Sequence, residues 1–140
     1  MSVILDKATH SFTVLIGDGA VHGVTLTPDS TAAREHLHHE AYWVHCLNVQ
    51  EVTAVDAYEA SIKALMNLNR ERAIEDYMLV TGERYEDAAR VYRDLLTSAR
   101  RLTPDERAEQ YELPVCGAYS ALRHEAATEA RVERGELAYR

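Results

Sequence analysis

The chain has 140 residues, with 15 Lys and Arg against 23 Asp and Glu, a formal charge of −8, and 46% hydrophobic and 27% charged residues. That length suits one domain whose core buries roughly two-thirds of the unfolded surface, and the balance excludes bulk disorder. The acidity is even, −4 over residues 1–70 and −4 over residues 71–140, so it repels phosphate backbones without forming an acidic tail and argues against nucleic acid as a partner.

No stretch approaches the roughly 20 apolar residues of a membrane span. The start, Met1-Ser2-Val3-Ile4-Leu5-Asp6-Lys7, lacks the basic and apolar regions of a signal peptide, so the chain is expected to be cytoplasmic. Cys46 and Cys116 stand apart with no CxxC pair, and two buried thiols are expected ahead of a disulfide. Arg outnumbers Lys 13 to 2 and alanine is abundant, residue usage expected of a GC-rich bacterium, such as an actinobacterium, or its phage.

The expected fold class is α+β, a single domain over 1–140 with a short N-terminal antiparallel β-meander (3–27) and four to six amphipathic helices (28–134). Val3-Ile4-Leu5, the alternation of Phe12, Val14 and Ile16, and then Val21, Val24 and Leu26 supply three strands. Gly17-Asp18-Gly19 is the hairpin turn, because glycine accepts a positive φ. Thr27-Pro28-Asp29 carries cap, first-turn proline and dipole signals, and predicts a helix from Pro28 to Leu47 with Ala33, Leu37, Ala41 and Val44 on one face. Phe12, Val14, Leu37 and Val44 are the predicted core.

A second helix start is read at Thr53-Ala54-Val55-Asp56. Its stripe of Val55, Tyr58, Ile62 and Leu65 fails at Asn69, Arg72 and Asp76, while a new one opens with Ala73, Ile74, Tyr77 and Val80. A break is therefore expected at residues 67–69, and a helix end at Gly82. The clearest helix is 84–101, with Tyr85, Ala88, Ala89, Tyr92, Leu95, Leu96 and Ala99 at helical spacing. Thr103-Pro104-Asp105-Glu106 is a capping box that starts a short helix ending before Pro114. The last helix, about Ala118–Arg134, is poor in large apolar residues. It is expected to be a solvated outer helix, or one that docks on a partner or second subunit.

The pattern Tyr85-x-x-Ala88-x-x-x-Tyr92-x-x-Leu95-Leu96 resembles the second helix of a tetratricopeptide repeat, with Gly82 before it and Pro104 after it. The Trp and Leu-Gly positions of the preceding repeat helix hold Arg72, Glu75 and Asp76. The resemblance covers about 20 residues and implies a helical hairpin only.

Four of the seven histidines, His36, His38, His39 and His45, fall on the first predicted helix. At 100° per residue His36, His39 and Glu40 share one side and could offer two imidazoles and a carboxylate to a divalent metal. Further ligands would come from His10, His22, His124 or Glu125. Trp43 occupies the second His position of an HExxH motif, and Glu35-x-x-His38 has no second copy to complete a di-iron site. The plainer alternative is a polar helix face with one His–Glu pair beside Trp43. No G-x-S-x-G elbow or phosphate loop is present, and His45 and Cys46 point about 100° apart.

Tyr77, Tyr85, Tyr92, Tyr111 and Tyr119, with Arg90, Arg93, Arg100 and Arg101, give the helical half residue types that favour binding surfaces. The leading expectation is a small non-enzymatic interaction protein, a regulator, inhibitor or assembly component, with a protein partner or a homo-oligomer and no cofactor. The alternative is a metal-dependent enzyme built on His36, His39 and Glu40. A third reading, an acidic mimic of nucleic acid, is opposed by the even spread of charge.

Overall fold

The computed structural model describes residues 8–43 and 48–136. Eight elements follow in chain order: β1 (His10–Gly17), β2 (Ala20–Leu26), α1 (Thr31–Trp43), β3 (Asn48–Ala54), α2 (Ala57–Thr81), α3 (Tyr85–Arg101), α4 (Pro104–Glu112) and α5 (Ala118–Glu133). The α+β class therefore holds, with an N-terminal three-stranded antiparallel sheet and five helices. The chain divides between Leu65 and Met66 into two compact units, each taken separately below.

In the first unit the sheet order is β2-β1-β3, with both neighbours antiparallel to β1. The β1–β2 hairpin turns at Asp18 and Gly19, whose φ angles of 53° and 77° match the positive values that a two-residue turn between twisted strands needs. Leu15 pairs with Gly23 and Ile16 with Val21, so His22 is the extra residue of a β-bulge. Its Nε2 lies 3.0 Å from the Gly17 carbonyl.

The third strand differs from expectation. Residues 3–5 lie outside the described residues, and the strand that completes the sheet is Asn48–Ala54, after α1. Its alternation, with Val52 and Ala54 buried and Glu51 and Thr53 exposed, is a strand signal that the helix-start reading of Thr53-Ala54 overrode. Phe12, Val14 and Ile16 share the buried face with Val52 and Ala54. Thr27 does not cap a helix: its amide donates to the Ser11 carbonyl at 2.9 Å, and its hydroxyl meets those of Ser11 and Thr13. The cap of α1 is Ser30, whose Oγ accepts from Ala33 N at 3.1 Å. On α1 Ala41 is buried and Leu37 half-buried, Ala33 is exposed, and Val44 lies outside the described residues. Asp56 caps α2 in the same way, accepting from Glu59 N at 2.8 Å.

The expected break at 67–69 is absent, and α2 runs unbroken for 25 residues. The switch of apolar stripe instead coincides with the boundary between the two units. A helix that changes what it packs against changes its buried face without having to bend.

The second unit joins Met66–Thr81 of α2 to α3, α4 and α5. Ala73 and Ile74 of α2, Ala88, Tyr92, Leu96 and Ala99 of α3, and Leu122, Ala126 and Ala130 of α5 form its core. Gly82, with φ 74°, closes α2 as expected. The Thr103–Glu106 capping box is fully formed, with its two hydrogen bonds at 3.0 and 3.2 Å. The reading of α5 as an outer or partner-dependent helix is corrected: Leu122, Ala126, Ala127, Thr128, Glu129 and Ala130 are all buried. Small side chains let α3 and α4 approach α5 closely, so a stripe of little area per residue is packed on more than one side. No described helix is long and apolar enough to cross a membrane.

Candidate functional site

The histidine helix is mostly solvated. His36 Nε2 and Glu40 Oε1 lie 3.1 Å apart on consecutive turns, with side chains 71% and 60% exposed. The His39 ring turns its edge to Trp43, centroids 6.1 Å apart, and Tyr42 meets Trp43 in the same way at 5.6 Å. His38 reaches Glu51 of β3 at 3.8 Å. Of the sequence-predicted trio, the structure thus brings His36 to Glu40 and directs His39 to Trp43. Among the described residues no group of three or more His, Cys, Asp or Glu side chains could hold a metal ion. His45 and Cys46 lie outside the described residues, and Cys116 is exposed as a free thiol.

The second unit holds the polar groups that burial makes costly. Glu129 of α5, 4% exposed, accepts a 2.6 Å bond from Arg70 Nη1 and a 3.2 Å bond from the Tyr92 hydroxyl. Tyr92 is pushed far above the ordinary phenol range, chiefly by burial and then by the Glu129 charge. These three residues, with Glu71, Tyr85 and Arg93, line a cleft of about 320 Å³. The Tyr85 hydroxyl bonds to both Glu71 carboxylate oxygens at 2.9 and 3.0 Å. The cleft is therefore largely satisfied by its own partners.

Arg107 of α4 is fully buried, and its guanidinium donates to the Ala99 and Leu102 carbonyls at the end of α3 and, by a two-pronged contact, to Glu136. Glu136 follows the Gly135 turn that ends α5, so one arginine ties three helix ends together. Its hydrogen bonds hold the Glu136 carboxyl below the usual carboxylate range.

The groove between α2 and α5 is less complete. Asn69, Arg72, Ala73 and Asp76 on α2 face Ala121, His124 and Glu125 on α5, with Val115 at one side, around about 230 Å³. The His124 ring stacks on Tyr111, centroids 4.7 Å apart, and Arg131 lies over the same Tyr111 ring at 4.9 Å. Burial lowers the affinity of the His124 imidazole for a proton, against a smaller opposing effect of the Tyr111 backbone. Burial, and then repulsion from Glu129, raises the Glu125 carboxyl above its ordinary range. Among the described residues Glu125 has no hydrogen-bond or ion-pair partner.

Beyond this groove α2 ends in exposed apolar residues. Leu79 and Val80 are 84% and 74% exposed, and Leu79 and Met78 line a shallow hollow with Glu75 and Glu83. Leu79 and Val80 lie one turn past Asp76 on the same side of the helix. Val115 across the groove is also exposed, at 52%.

Sequence reasoning placed His124 and Glu125 only as distant metal ligands and missed Glu129, Arg70 and Arg107. One signal was present: Leu122, Ala126 and Glu129 follow at i, i+4 and i+7, which puts an acid on the apolar stripe. Arg107 carries no such mark, because its burial depends on the chain past Gly135. No family model matches the chain, and no curated protein or solved structure matches it either.

Proposed function

We propose that this protein is a small non-enzymatic interaction factor of the cytoplasm, a regulator, inhibitor or assembly component that works by binding another protein and needs no cofactor. The observation that carries this reading is the pair Leu79 and Val80, adjacent on the last turn of α2 and 84% and 74% exposed. Two large aliphatic side chains held in water, Leu79 in a hollow with Met78, Glu75 and Glu83 and Val80 beside it in the chain, gain free energy only when something covers them. The exposed Tyr42 and Trp43 on α1 add a second surface of the kind that anchors protein contacts. The excess of Arg over Lys, 13 to 2, fits a GC-rich bacterium or its phage as the source.

The test is chemical cross-linking of the full chain in its own cells, with wild type and Leu79→Asp/Val80→Asp side by side. A discrete partner cross-linked by wild type and lost in the double variant supports the reading. Identical cross-linked products from both, or none from either, overturns it. Light scattering on the purified chain separates a protein partner from self-association.

A further inference from the structure

Resting on the interaction reading, we infer that the α2–α5 groove receives a lysine- or arginine-bearing apolar segment of a partner protein, whose cation pairs with Glu125 while its apolar side chains cover Leu79, Val80 and Val115. Two independent observations converge here. The first is exposed apolar surface, Leu79 and Val80 one turn past Asp76 on α2 and Val115 on the groove lining. The second is a partly buried carboxylate, Glu125, without a partner among the described residues. A half-buried carboxylate with no cation of its own gains a charge-assisted hydrogen bond when one reaches it.

The charges lining the groove fix the sign of the occupant. The lining sets Arg72 against Asp76 and Glu125, one net negative charge. Glu129, one turn along α5 from Glu125, is already held by Arg70 and Tyr92. Glu75 and Glu83 on the adjoining hollow add to the negative rim. A second copy of this chain fits poorly, because the same acidic rims would face each other on a molecule of net charge −8. Nucleic acid fails for the same reason. A basic amphipathic helix satisfies both halves of the surface, its apolar stripe on the rim and its cations toward the carboxylates.

The probe is a synthetic amphipathic helix of leucine and lysine, titrated into the full chain by fluorescence anisotropy. A leucine–glutamate counterpart and oligolysine serve as controls. Saturable binding of the leucine–lysine peptide alone is expected. Glu125→Gln should weaken it about tenfold, the scale of one charge-assisted hydrogen bond, and Leu79→Asp at least as much. Arg93→Ala, in the other cleft, should leave it unchanged. Glu125→Gln should remain folded, which a melting curve checks. Equal binding of oligolysine, or equal affinity for wild type and Glu125→Gln, overturns the inference. No peptide binding, with cross-linked partner still lost in Leu79→Asp/Val80→Asp, overturns the groove assignment and leaves the interaction reading standing. No peptide binding together with identical cross-links from wild type and the double variant removes both.

Discussion

The Tyr92 hydroxyl of α3 donates to the Glu129 carboxylate of α5 across 3.2 Å, and both residues are at least 96% out of solvent. Arg70 of α2 reaches the other carboxylate oxygen at 2.6 Å, so three helices meet on one acid. Tyr92→Phe should cost about 1.5–3 kcal/mol, the range for a hydrogen bond to a charged group. Glu129→Ala should cost more, toward about 3 kcal/mol, because it strands a half-buried cation and a buried hydroxyl together. Urea denaturation of both variants and the double variant checks this, with strong non-additivity expected. Because the folded Tyr92 pKa is raised, its contribution is complete below the ordinary phenol value of 10.0 and is lost as pH rises beyond it. Wild type should therefore lose stability above that pH more steeply than Tyr92→Phe.

Glu125 gives the opposite kind of prediction. Its folded pKa is raised above the ordinary value of 4.5, so the favourable protonated state is complete below that value and is lost as pH rises through the folded pKa. At neutral pH the residue therefore opposes folding. Glu125→Gln should raise the urea midpoint at pH 7, and the gain should close toward pH 4. A variant that is no more stable than wild type at pH 7 would contradict the geometry of the groove.

Arg107 and Glu136 predict how the C-terminal end behaves. Arg107→Ala takes the side-chain donor from the Leu102 carbonyl, while the Ala99 carbonyl keeps the Leu102 amide, and should cost about 1–3 kcal/mol, the penalty for an acceptor left unpaired. The Glu136 carboxyl is lowered by its bonds to Arg107, so its contribution is present above the ordinary value of 4.5 and is lost as pH falls through the folded pKa. Glu136→Gln should lose stability at neutral pH and show a shallower acid limb. Truncation after Gly117 should unfold Met66–Gly117 as seen by circular dichroism, since α5 supplies part of its core.

The hairpin turn is a local test of the sheet. Gly19 holds φ 77° with open space where a Cβ would sit, so Gly19→Ala meets backbone strain and no clash. The expected loss is about 1–2 kcal/mol, read as earlier hydrogen exchange in β1 and β2.

What could be read from the chain was what short-range chemistry decides. The Asp18-Gly19 turn, the Thr103–Glu106 capping box and the face of α3 depend on residues within a few positions of each other, and all three are found. Strand β3 was missed because Thr53-Ala54-Val55-Asp56 resembles a helix start, and the real cap, Asp56, comes at its end. Whether Thr53 extends a strand is settled by its pairing with Ser11, 42 positions away (53 minus 11). The groove was harder still. Asp76, Val115 and Glu125 come from three segments, and nothing in their spacing brings them together before the helices pack.

The buried alanines of α5 carry a consequence for how this sequence can drift. Ala126, Ala127 and Ala130 are all fully buried, and a larger side chain there must push a neighbouring helix away, at typically 1–3 kcal/mol in a packed core. Substitutions at these plain positions should be purged, while the charged residues on the outer faces of the same helices exchange freely. In a mutational scan, the least conspicuous letters of the chain should prove the least replaceable, and glycine or serine should be the replacements best tolerated there.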